Sequence, residues 1–251
     1  MTPLRQRLLE ELTRRNYSPR TAEAYVAGIR RFANHFQRSP EHLGPDHLRE
    51  FQLHLIQHQR VSWSLFNQTV SALRFLYAHV LQRPDAVPFI PYGKKPKTLP
   101  VVLSSAEVHA VLNAFAHPPT RMIFRTLYAC GLRINELIHL RVTDLDSGRM
   151  LVHVRQGKGQ KDRCVPLARR LLDELRHYWR RYRPRDLLFP GQTADGTLCP
   201  ATLQRHCVKA GRRVGLTKHV TPHTFRHCYA THLLEAGVDV PTLQRLLGTP
   251  R

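Results

Sequence analysis

The segment from Arg83 to Pro100, RPDAVPFIPYGKKPKTLP, places five prolines and three lysines in 18 residues. Proline fixes φ and removes a backbone donor, so such a stretch resists both helix and sheet, and an extended linker is expected over residues 84–100. The linker divides the 251-residue chain into two parts, 1–83 and 101–251, each long enough to bury its own core.

The first part is patterned for helices. Apolar residues recur at steps of three and four: Leu4, Leu8 and Leu12; Tyr25, Ile29, Phe32 and Phe36; Leu48, Phe51 and Leu55; Val70, Leu73, Tyr77 and Val80. Ser18-Pro19 has the form of an N-cap followed by a first-turn proline, and Gly44-Pro45-Asp46 marks a break before the third helix. A small four-helix bundle is predicted. The second part opens on Ser104-Ser105-Ala106-Glu107, a capping-box pattern, and continues helical through Leu140. There the period changes. MLVHVRQ alternates, GKGQ supplies a turn and KDRCVPL extends again, so a β-hairpin is expected with Lys158 at its tip. Helices are predicted again over 168–183, 200–213, 222–236 and 241–247. The fold class is therefore mainly α with a small β-hairpin sheet.

Lys and Arg total 39 against 18 Asp plus Glu, a formal charge of +21. A surface this basic attracts a polyanion, and nucleic acid is favoured over a merely solvated basic surface. No apolar run of about 18 residues is available to span a membrane, and the N-terminus lacks the apolar stretch of a signal peptide, so a cytoplasmic location is expected. The five cysteines are scattered and never spaced as CxxC, which argues against a disulfide framework and a zinc ribbon. His223 and His227 stand one helical turn apart, but no HExxH or third ligand accompanies them. Neither metal nor cofactor is expected.

Three patches of the second part carry chemistry: GLRINEL at 131–137, GKGQKDR at 157–163 and HTFRH at 223–227. In their order and wording they resemble the tyrosine recombinase, or phage integrase, family, whose members carry an Arg in a GLR-x-x-E segment, a Lys on a β-hairpin and an HxxR motif. NYSPRTAEAY at 16–25 is similar to the start of that family's N-terminal core-binding domain, so the resemblance spans nearly the whole chain. It implies a helical, SAM-like core-binding domain followed by a catalytic domain, the two closing as a clamp around double-stranded DNA.

It also implies site residues. Transfer of a DNA phosphate builds negative charge on its non-bridging oxygens, and two guanidiniums, Arg133 and Arg226, are suited to hold that charge through paired donors. Lys158 is placed as the general acid for the leaving oxygen, with Lys161 as its competitor. His223 is implied to accept or share the nucleophile's proton, and Glu136 to orient Arg133. Lys94, Lys95 and Lys97 are candidates for phosphate contacts, and Arg205, Lys209, Arg212 and Arg213 for a DNA-facing helix.

The chain departs from the family after its HxxR helix. Where members have LLGH and, a short distance later, the nucleophilic tyrosine, this sequence has LLGTPR, with Thr249 in place of the histidine. Truncation before the nucleophile is therefore expected, with Tyr229 serving as a helix filler rather than a substitute. Two functions follow as expectations. One is a site-specific recombinase of a mobile element working through a 3′-phosphotyrosine; the other is a catalytically inactive DNA-binding remnant that competes at recombination sites. Association with other recombinase subunits is expected to be weakened by the missing tail.

Overall fold

The computed structural model describes residues 2–94, 96, 99–155, 162–193 and 195–248. The chain forms two units, residues 1–98 and 99–251.

In the first unit, Thr2 and Ser18 each accept a backbone N–H through the side chain and are followed by proline, opening α1 (Pro3–Arg14) and α2 (Pro19–Phe36). Pro45 opens α3 (Pro45–Gln57), and Ser62 caps α4 (Trp63–Phe75), which runs on as a π-helical turn, Leu76–Val80. The apolar faces expected from sequence meet at the centre: Leu8, Leu12, Phe32, Leu48, Phe51, Leu55, Val70 and Leu73 are buried. Gly28 lets α2 approach α4, since a Cβ there would lie 3.3 Å from the Ala72 Cβ. The Tyr77 ring is fully buried, and its hydroxyl donates toward the Pro40 and Leu43 carbonyls at 3.2 and 3.0 Å. Burial pushes that phenol up to about 12.

The extended linker expected over 84–100 requires correction at its front. Residues Pro84–Phe89 form a 3₁₀ helix, and Ala86 and Ile90 are fully buried in the core of the first unit. Proline's fixed φ suits a 3₁₀ turn as well as an extended chain. Its carbonyls accept from side chains: Gln52 Nε2 donates to Phe89 at 3.0 Å, and Arg74 Nη1 to Val87 and Ile90 at 3.0 and 2.9 Å. Asn67 exchanges two hydrogen bonds with the Gly93 backbone. A Cβ at Gly93 would lie 2.4 Å from the Trp63 ring, so only glycine fits that turn.

In the second unit, Ser104 and Glu107 cap each other's backbone N–H and start α5 (Ser105–Asn113). α6 (Pro118–Ala129) and the short α7 (Ile134–Ile138) follow. The sheet is antiparallel in the order β1 (Leu145–Asp146), β2 (Leu151–Val154), β3 (Arg163–Pro166), with Val152 opposite Val165 and Val154 opposite Arg163. β2 and β3 are the expected hairpin, while β1 is an added edge. Four more helices complete the unit: α8 (Arg169–Tyr182), α9 (Pro200–Arg213), α10 (Pro222–Glu235) and α11 (Val240–Leu247). Val152, Val154 and Val165 join Phe124, Leu127, Leu137, Leu172 and Phe225 in one buried core. The architecture is mostly helical with a small sheet, as the sequence predicts.

Candidate functional site

Gly131 ends α6 in the left-handed region at φ +56°, and a Cβ there would lie 2.3 Å from the Tyr229 ring. Backbone and packing thus both demand glycine. The turn carries Arg133 to the N-cap of α7, where its N–H donates to Glu136 Oε2 at 2.8 Å. The spacing G-L-R-x-x-E therefore has a structural meaning. Glycine redirects the chain, arginine stands at the new helix start, and glutamate three residues on holds it there.

Glu136 is a hub. Its side chain is 4% exposed, and the carboxylate accepts from Arg133 Nη1 at 2.7 Å and from both Nη1 and Nη2 of Arg163 at 2.7 Å each. Arg226 Nη1 lies 3.8 Å away. Burial by itself raises the Glu136 carboxyl, but the hydrogen bonds from Arg163 and from Arg133 outweigh it and hold the group at about 2. Arg226, 5% exposed, is lowered to about 10, first by burial and next by the nearby Arg133 charge. One carboxylate thus offsets three guanidiniums only in part.

The same arginines also hold the end of α11. Arg163 Nε donates to the Leu246 carbonyl at 2.8 Å, Arg226 Nη2 to that of Leu247, and Arg133 Nη2 to that of Gly248 at 3.3 Å. The last carbonyls of a helix lack intrahelical donors and carry its negative end, so cations are stabilising there. Arg226 Nη1 donates as well to the Gly131 carbonyl, tying α10 to the α6–α7 turn.

Arg133, Glu136 and His223 line a cleft of about 800 Å³, with Asn135, His139 and Arg155 among its other walls. His223 is exposed in the first turn of α10, its ring 4.5 Å from that of His227. Partial burial, then His227, Arg226 and Arg133, hold its imidazole below the ordinary range, so it is poised neutral. Arg155 pairs at 2.6 Å with Asp144, a buried carboxylate that also caps the Arg141 N–H.

The structure brings Arg133, Glu136 and Arg226 into one cluster, with His223 on the cleft beside it. Arg226 is not a lining residue; it lies beneath, bonded to backbone. Lys158, its competitor Lys161, the linker residues Lys95 and Lys97, and Thr249 lie outside the described residues. Lys94 is exposed. On α9, Arg205, Lys209, Arg212 and Arg213 are all exposed, and among the described residues none of them is paired with a carboxylate. Sequence reasoning missed Arg163 and Arg155. A signal for Arg163 existed: it shares strand parity with the buried Val165, and an inward arginine on a strand needs a buried acid.

A helical unit is followed by a helical unit that carries a three-stranded antiparallel sheet and an arginine cluster around one buried carboxylate. The model of the phage integrase family matches residues 101–249, and that of the phage integrase N-terminal SAM-like domain matches residues 4–85. A putative integrase/recombinase of Sinorhizobium fredii, y4qK, is 44% identical over 250 residues, 99% of this chain and 81% of that protein. Tyrosine recombinase XerA of Thermococcus onnurineus is 38% identical over 192 residues, 72% of this chain and 65% of that protein. Among solved structures, a lambda integrase dimer bound to a COC′ core site shares the fold with a TM-score of 0.79 at 17% identity, covering 99% of this chain and 94% of that one. The chain belongs to the phage integrase family of tyrosine recombinases.

Proposed function

We propose that this chain is a DNA-binding subunit of a site-specific recombination system, holding a backbone phosphate of double-stranded DNA in the cleft of its second unit. The observation that carries this is the convergence of Arg133 and Arg226 on Glu136 beside His223. Arg133 Nε–H makes no hydrogen bond among the described residues and is assigned to a phosphate oxygen, while Arg226 beneath adds field and rigidity. Glu136 keeps Arg133 in place. His223, poised neutral, fits acceptance of a hydroxyl proton, and Lys158 is assigned the general-acid role by family resemblance. Lys94, Lys95, Lys97 and the exposed arginines of α9 supply further phosphate contacts. Related subunits on the same DNA are the expected partners.

Cutting requires a hydroxyl in the cleft, and none of the described tyrosines lines it. Tyr128 is engaged with His232 at 2.7 Å, and Tyr178 is mostly buried, its phenol raised to about 12 by that burial. Tyr229 is wedged against Gly131, and burial raises its phenol also.

The test incubates the polypeptide with a nicked suicide duplex and reads both a mobility shift and a denaturing gel. A shift weakened by Arg133→Ala is expected. An equal shift from wild type and Arg133→Ala would overturn the assignment.

A further inference from the structure

The first unit carries a groove of its own. Leu4 and Leu8 of α1, Val26, Ile29 and Ala33 of α2, and Pro40 line an open space of about 890 Å³. Leu4, Leu8 and Ile29 belong to the buried core, while Val26 and Ala33 are half-buried, so the apolar floor is fixed by the fold before any partner arrives. Arg5, Arg30 and Arg38 line the same groove. All three are exposed, and among the described residues none of them pairs with a carboxylate. The acid of the described lining, Glu41, is already engaged: it accepts from Arg7 and, at 3.3 Å, from the Ser39 hydroxyl. An apolar floor is thus bordered by three guanidiniums without a counter-charge.

Such a surface selects an occupant that brings apolar side chains for the floor and carboxylates for the arginines. A nucleic-acid backbone brings charge but no apolar stripe to cover Leu4, Val26 and Ile29. A second copy of a chain with a formal charge of +21 is repelled rather than drawn in. An amphipathic helix supplies both features, with apolar residues at three- and four-residue steps on one face and acids beside them. We propose that the groove between α1 and α2 docks an acidic amphipathic helix of a partner protein. Its apolar stripe covers Leu4, Val26, Ile29 and Ala33, and its carboxylates meet Arg5, Arg30 and Arg38 through charge-assisted hydrogen bonds. This surface lies wholly in the first unit and shares no residue with the Arg133 cleft, so the inference does not rest on the DNA-binding reading.

The experiment titrates the full chain with a fluorescent synthetic peptide that places leucine at helical spacing and glutamate on the flanks. A scrambled peptide of the same composition keeps the charge and loses the stripe. Saturable binding of the first peptide is expected, with shifts of the backbone amides of α1 and α2, and binding of the scrambled peptide about tenfold weaker. Arg30→Glu and Arg38→Glu, both at exposed positions, should each weaken binding about tenfold, because each replaces an attraction with a repulsion. Equal binding of the two peptides, or titrations unchanged in both variants, would overturn the site. A dimer in sedimentation that Arg30→Glu dissolves would assign the groove to a second copy, and short duplex DNA that displaces the peptide while moving the same amides would assign it to nucleic acid; either result refutes the proposal. Failure here leaves the Arg133 cleft untouched, because the effect of Arg133→Ala on duplex binding is read separately.

Discussion

At the scale of single residues, Glu136 decides whether the site exists. Its folded carboxyl titrates at about 2 against an ordinary 4.5, so its stabilising contribution is complete above the unfolded value and is lost as pH falls through about 2. Glu136→Gln should cost about 3 kcal/mol at neutral pH, since it leaves buried guanidiniums uncompensated. Thermal unfolding followed from pH 7 down to about 2 checks this: the gap between wild type and variant should narrow at the acid end, and a constant gap would refute the linkage. Gly131→Ala should cost roughly 2–4 kcal/mol, combining a left-handed alanine with a collision against the Tyr229 ring; denaturant unfolding measures it. Both residues were legible in GLRINEL, because the glycine and the i, i+3 pair are local features. Arg163 carried only the strand-parity signal, and its partner was not legible, because the carboxylate lies 27 residues away in sequence and only tertiary folding brings the two together.

At the scale of elements, Arg163 joins three of them: β3 carries it, the N-terminus of α7 supplies its carboxylate, and the end of α11 accepts its Nε–H. Arg163→Ala should release the end of α11, seen as faster amide hydrogen exchange at residues 243–248 with little change in α1–α4. Arg163→Lys should not restore protection, since one ammonium cannot serve two carboxylate oxygens and a carbonyl in fixed geometry. Equal exchange in wild type and both variants would contradict this. Helices were legible from periodicity because each buries one stripe. The 3₁₀ helix at Pro84–Phe89 was not, because its proline content carries no such period; what seats it is the cross-chain donation by Gln52 and Arg74. β1 was also missed, being a two-residue edge with nothing to alternate.

At the scale of the whole molecule, an excess of 21 positive charges sets the binding thermodynamics. Duplex affinity should fall by about 10³ or more between roughly 50 and 200 mM salt if six or more phosphates are contacted, as mobility shifts at graded salt would record. A salt-insensitive affinity would exclude phosphate contacts as its source. Charge and motif order point to a polyanion partner, but they could not show that Arg226 lies beneath the cleft or that helix carbonyls take up so many arginine donors. The most direct measurement is the arginine 15Nε–1Hε spectrum of the full chain as short duplex DNA is added to saturation. The Arg133 signal should shift while that of Arg163, already committed to Glu136 and Leu246, stays in place. An Arg133 signal unmoved on a DNA-saturated protein would contradict the claim that this cluster holds the phosphate.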